Sequence, residues 1–232
     1  VTTIRTQIIA GFFLRAGDIL TTAGFATGIG QNAYQGKAVG KHLPGCAVAP
    51  GVETSEPEYS VVSNVMEITV SGFAKFSTAE EPVLISEKIL ADLIEAFTGT
   101  EFTLQFSGGS TEVQVGDTVT GTTSGATGYV AEVDLASGSW AVGDAAGTLK
   151  IRRDSGTFQN GEAITEAGVA SVIVAVTGRS PATVVTSGLA KSIVYKSGGA
   201  EDYPDGGETV AGSAATFEVT YQTKAGNPYA QA

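Results

Sequence analysis

Apolar residues recur at helical spacing in two stretches of this chain; elsewhere they alternate or run together as in strands. Over residues 3–22, TIRTQIIAGFFLRAGDILTT, Ile4, Ile8, Phe12 and Ile19 fall near one helical face. Ile9, Phe13 and Leu20 widen that stripe, Arg5 and Arg15 can point outwards, and Gly24 is the expected stop. The second stretch begins at Thr78-Ala-Glu-Glu81, a capping-box pattern in which hydroxyl and carboxylate satisfy free amides reciprocally. Pro82 suits the first turn, and Ile85, Ile89, Leu93 and Phe97 follow at intervals of four. This is the firmest helix in the sequence.

Strand patterns fill the remainder. A short strand is expected over residues 32–39, and a brief apolar one over 46–49, ended by Pro50-Gly51. Residues 61–73 alternate loosely around Val65, Ile68 and Val70. Beyond Gly99 the period changes. Tyr129, Ala131, Val133 and Leu135 alternate with Val130, Glu132 and Asp134; residues 148–151 and 170–176 read as strands, the latter buried on both faces. After Pro181, strands are expected over 189–195 and 215–223, where Phe217, Val219 and Tyr221 alternate with Glu218, Thr220 and Gln222.

Between the second helix and these last strands, 15 of the 22 residues from Ser107 to Gly128 are Gly, Ser or Thr. The apolar content of the flanking strands excludes a disordered tract, which lacks such residues. A weak repeat also crosses it: VQVGDTV at 113–119 matches FQNGEAI at 158–164, with their glycines 45 positions apart. Residues 101–182 are therefore expected to be an inserted all-β sandwich or barrel, interrupting a host made of 1–100 and 183–232. Exposed loops tolerate such insertions best.

Composition adds exclusions. Of 232 residues, 42% are hydrophobic and 16% charged, and the 31 glycines favour short strands and turns. The net charge of −11 is spread as −4, −5 and −2 over residues 1–100, 101–182 and 183–232. That balance excludes a nucleic-acid-gripping surface, which needs clustered cations to displace counterions from phosphates. One cysteine excludes an internal disulfide. Residues 19–36 are too rich in Gly and Thr to span a bilayer, and no basic-then-apolar leader precedes them, so a soluble intracellular product is expected.

Candidate chemistry is thin. His42 and Cys46 stand four apart, but Cys46 opens an apolar strand and reads as a buried structural thiol. Gly28-Ile-Gly-Gln-Asn-Ala33 imitates a dinucleotide fingerprint, yet a helix precedes it where a strand is required. Glu201, Asp202, Asp205 and Glu208 match no calcium-loop spacing and read as a solvated acidic loop. No enzyme, cofactor or metal is expected.

The order of the host features resembles the tail terminator proteins of long-tailed bacteriophages, the lambda minor tail protein U-like subunits. IRTQIIAGFF leads to GFATGIGQNAYQG and KHLPGCAVAPGVE; VMEITVSGF precedes EEPVLISEKILADLIEAF; and FEVTYQTKAGNPY closes the chain. About two thirds of the length is covered, and the insert has no counterpart. The resemblance implies an α+β fold with two helices on one face of a mostly antiparallel sheet. It implies a virion protein of the tail or neck, assembled in the host cytoplasm into a homo-oligomeric ring of six. That ring would cap the tail tube protein, stop its polymerisation, meet the head-tail connector or completion protein, and let DNA through its lumen without specific binding. Tyr221, Lys224, Asn227, Pro228 and Tyr229 in the closing motif, with Lys37 and Lys41, are the expected assembly contacts. Two alternatives stand beside this: another neck or tail ring component, such as a head-completion or tube protein, and a carbohydrate-binding module on a virion scaffold, resting on the insert. Against the latter, sugar sites want exposed aromatics, and the insert after Phe106 has only Tyr129, Trp140 and Phe158. Tube proteins usually carry long hairpins, where this sequence points to two amphipathic helices.

Overall fold

The structure, a computed structural model, describes residues 2–36, 42–76, 81–166, 169–201 and 209–232. In chain order the elements are α1 (Ile4–Gly17), β1 (Ala33–Gln35), β2 (Gly45–Pro57), β3 (Val61–Lys75) and α2 (Pro82–Thr98). There follow β4 (Glu101–Gly109), β5 (Thr118–Gly121), β6 (Thr127–Ser137), β7 (Ala145–Ser155), β8 (Ala163–Glu166) and β9 (Val169–Arg179). Then come α3 (Pro181–Thr186), β10 (Ala190–Ala200), β11 (Val210–Lys224) and β12 (Asn227–Gln231). Two compact units result: residues 1–21, 25–98 and 181–232 form the first, and 22–24 with 99–180 the second.

The expected α+β fold of two helices on a sheet needs correction. Among the described residues twelve strands in two sheets stand against three short helices, and the chain is β-rich. The reason lies in strand length. Pro50-Gly51 does not end β2; a bulge between Pro50 and Glu53 absorbs the pair, and the strand continues to Pro57. Bulges accommodate proline on strands whose outer edge is free. β11 pairs with β3 along its full length, from Val210↔Lys75 to Lys224↔Val61. β4, whose Phe102, Leu104 and Phe106 alternate with Thr103, Gln105 and Ser107, and β12 add strands beyond those expected from the sequence.

The first unit is built on one sheet in the order β1-β2-β3-β11-β10, with β12 pairing the end of β11. α2 packs on β3, β10 and β11, and α1 on β1 and β2. The four-residue spacing of α2 is realised: Ile85, Ile89, Leu93 and Phe97 are all buried. So are Ile4, Ile8 and Phe12 of α1, though that helix ends at Gly17, well before Gly24. Phe12, Phe97 and Phe217 make the centre of this core, the first two stacked at 4.8 Å and the second pair tilted at 5.1 Å. Asp92 of α2 is also buried and accepts from the Thr27 hydroxyl (2.6 Å) and the amides of Thr27 (2.6 Å) and Ala26 (2.9 Å), tying the chain after α1 to the helix. Thr78, the expected cap, lies outside the described residues; the Glu81 carbonyl accepts from the Leu84 and Ile85 amides.

The second unit is a closed barrel, β4-β7-β6-β5-β8-β9. Leu104, Phe106, Val119, Val130, Leu149, Ile151, Phe158 and Ile164 fill it. For the strand at 170–176 the side chains, except that of Val176, lie outside the described ones. The sequence repeat is structural. Gly116 (φ +107°) and Gly161 (φ +78°) occupy the left-handed region that favours glycine, each at the same turn. In each copy a Gln amide donates to the acid three residues on, Gln114 to Asp117 and Gln159 to Glu162, both at 2.6 Å. Exchanging β4, β5 and β6 for β7, β8 and β9 reproduces the barrel order read in reverse, so the barrel is two copies of one three-stranded unit.

The second copy carries a titratable brace. Burial alone would push the Glu162 carboxyl up, but the Gln159 and Ser124 amides, the Ser124 hydroxyl and the Thr123 amide donate to it and bring it below its ordinary value. A carboxyl lowered by folding stabilises the barrel above its unfolded pKa, and that contribution is lost as pH falls through the lower folded value. Thermal melts should therefore show barrel stability falling on acidification below the ordinary carboxylate range, and Glu162→Gln should flatten that part of the profile. An identical acid slope in Glu162→Gln would show that other groups carry it.

Candidate assembly surface

The end of the first sheet where β2 turns into β3 carries two exposed aromatic groups, Tyr59 and Tyr229. Glu58 and Val61 close a tight turn, with the Glu58 amide donating to the Val61 carbonyl at 2.7 Å. The strands leave this turn antiparallel and in register (Pro57↔Val62, Glu56↔Ser63), so Tyr59 at its tip has nothing above it and is fully exposed. The turn between β11 and β12 lies alongside, because the Ala225 amide donates to the Ser60 carbonyl at 3.0 Å. Two turns therefore share one end of the sheet. That end presents Tyr59, Lys224, Asn227, Pro228 and Tyr229.

Of the expected contacts, Lys224, Asn227, Pro228 and Tyr229 are thus together and exposed. Tyr221 is not with them at the surface. It is buried, and its hydroxyl donates to Glu53 at 2.6 Å, a carboxylate that also accepts from Arg5 Nε at 3.1 Å. Burial pushes the phenol above its ordinary value, the Glu53 hydrogen bond and charge push it further, and Arg5 offsets part of this. Its role is internal: it ties β11 to β2 and, through Glu53, to α1. Lys37 and Lys41 lie outside the described residues, as do Asp202, Asp205 and Glu208 of the acidic loop. Tyr59 went unread in the sequence, where its signal was a hairpin turn between two strands longer than expected.

The sheet face away from the helices is polar. Thr69 and Thr216 hydroxyls meet at 3.1 Å, Gln222 donates to Ser63 at 3.0 Å, and Lys196 pairs with Glu218 at 3.0 Å. Glu218 and Glu67 sit directly opposite on adjacent strands.

Nucleophilic chemistry has no footing at His42 and Cys46. The thiol is fully buried, its Sγ lies 3.8 Å from the Ala16 carbonyl, and burial pushes its pKa up to about 12. A thiolate is the reactive form, and this environment suppresses it. The Gly28–Ala33 segment forms a short 3-10 turn (Ile29–Gln31) running into β1, with no helix after it to receive a pyrophosphate. Among the described residues no three His, Cys, Asp or Glu side chains converge as a metal site, and no helix is long and apolar enough to cross a membrane.

In the barrel, the few aromatics after Phe106 that a sugar site could use are engaged internally. Phe158 is buried, Trp140 stacks on Phe106 at 5.0 Å, and Tyr129 lies under the Arg153 guanidinium at 4.9 Å. Compared with known proteins, the chain matches no family profile and no curated protein sequence.

Proposed function

We propose that this chain is a structural virion subunit of the tail terminator type, forming a ring that caps a tail tube and joins it to the head connector. The observation that carries this reading is the exposed sheet end. Tyr59 and Tyr229 stand out beside Lys224, Asn227 and Pro228, on two turns tied together through Ser60 and Ala225. Exposed tyrosines on a fixed scaffold suit protein contact, since they offer large area at small conformational cost. The buried, suppressed thiol supports binding over catalysis. The acidic balance and the carboxylates Glu67 and Glu218 on the open sheet face suit a lumen that passes DNA without gripping it.

One observation favours a second reading, a tube-type ring component: β2 and β3 form a long hairpin whose β2 strand is largely exposed over its distal half. Adding the chain to polymerising tail-tube protein separates the two. A terminator shortens the tubes and sits at one end of each, and Tyr59→Ala with Tyr229→Ala removes the effect. A chain that incorporates along the tube wall is a tube component instead.

A further inference from the structure

The first sheet is open on both sides, and its two edges are unlike. Beyond Val48, where β1 ends its pairing, the outer edge of β2 has no partner strand among the described residues. On the opposite side β10 pairs, among the described residues, only with β11. From Thr54 to Ser60 the chain carries Glu56 and Glu58 and no Lys or Arg, Glu53 before them being paired inwards with Arg5; from Ser187 to Ala200 it carries Lys191 and Lys196 and no acid. Glu56, Glu58, Lys191 and Lys196 are all exposed.

Register places the facing groups on one side of the sheet. Glu56 pairs with Ser63 and Thr54 with Val65, on the polar face that also bears Glu67 and Thr69. Val194 pairs with Glu218 on that same face, and Lys196 reaches Glu218 there. Val194 is itself exposed.

We infer that a second copy of this chain docks head to tail, the acidic distal edge of β2 against the basic edge of β10. The inference rests on the ring reading above and names its contact. Charge complementarity between opposite, non-identical edges selects a heterologous contact, which closes into a ring when the rotation permits. A two-fold contact would set Glu against Glu or Lys against Lys. Pro50 and Pro57 bracket the free segment, and the lysines mark the other edge. These are the devices that stop sheets from growing without limit. They confine the contact to a short stretch, joined by side-chain charge and by apolar contact at Val52 and Val194. The Lys196 to Glu218 bond is half-exposed and can be exchanged for a neighbour's carboxylate at little cost.

The test uses two full-length variants, Glu56→Lys with Glu58→Lys, and Lys191→Glu with Lys196→Glu, in sedimentation against the parent. All four sites are exposed, so both variants should fold, with Lys196→Glu melting slightly lower because it gives up the bond to Glu218 and sets a carboxylate beside it. Each variant alone should lose the assembled species, and an equimolar mixture should regain it, because edges of opposite sign then alternate. Assembly of either variant alone at the parent's level, or no recovery on mixing, overturns the inference. So does a parent chain that stays monomeric at every concentration. Should a charge variant fail to fold, Thr54→Cys with Val194→Cys supplies the second measurement. Oxidation should give a covalent ladder of copies, and its absence under conditions where the parent assembles overturns the contact. An assembly that obeys these charges but caps no tail tube leaves the edge contact standing and removes the terminator reading.

Discussion

Replacing Ile89 with Asp, or Leu93 with Asp, should unfold the first unit while leaving the barrel intact. Both side chains are fully buried on the inner face of α2, against a core that includes Phe12, Phe97 and Phe217. A carboxylate placed there enters an apolar core, and an unpaired buried charge costs several kcal/mol, on the order of a domain's whole stability. All three helices belong to this unit, so the helical signal in circular dichroism should collapse. The chain's one tryptophan, Trp140, belongs to the barrel and stacks on Phe106, so its emission should stay native. Native helical content in either variant would contradict the packing of α2.

Leu149→Asp should do the reverse. Leu149 is fully buried at the centre of the barrel, paired with Leu104 on one side and Val133 on the other. The same penalty of several kcal/mol falls on a unit held by a small core. Trp140 emission should shift to that of a solvated indole, while the helical signal and its melting transition persist. Loss of both signals together, in this variant or in the α2 variants, would mean that the two units fold as one.

Where side-chain period and element agreed, the sequence was readable. Ile85, Ile89, Leu93 and Phe97 have no competing interpretation as a strand, and their burial follows the spacing. The Gln-x-Gly-acid repeat was readable because only a glycine tolerates the positive φ found at 116 and 161. The strands of the first sheet were harder. Pro50-Gly51 looks like a terminator of β2, and only the neighbouring strand β3, distant in pattern but adjacent in space, carries the chain through it as a bulge. α3 follows Pro181 for six residues, too few for a helical period to register. β12 sits in a stretch whose Gly226-Asn227-Pro228 reads as a turn, which it is on one side only.

The candidate surface shows the same division. The alternation of Phe217, Val219 and Tyr221 with Glu218, Thr220 and Gln222 already assigns Tyr221 to the apolar face, and its place among surface contacts conflicted with that pattern. Lys224, Asn227, Pro228 and Tyr229 lie past the last buried residue of β11, where no core constrains them. Tyr59 could be found only by knowing that β2 and β3 form a hairpin long enough to carry its turn beyond the core.

Electron microscopy of the purified full chain, alone and with tail-tube protein, tests the central claim most directly. The account predicts closed rings of a fixed subunit number, stacked on the end of the tube when tube protein is present, with a lumen wide enough for duplex DNA and no retention of that DNA near physiological salt. A monomer that forms no ring in either condition, or one that binds duplex DNA tightly, would contradict it.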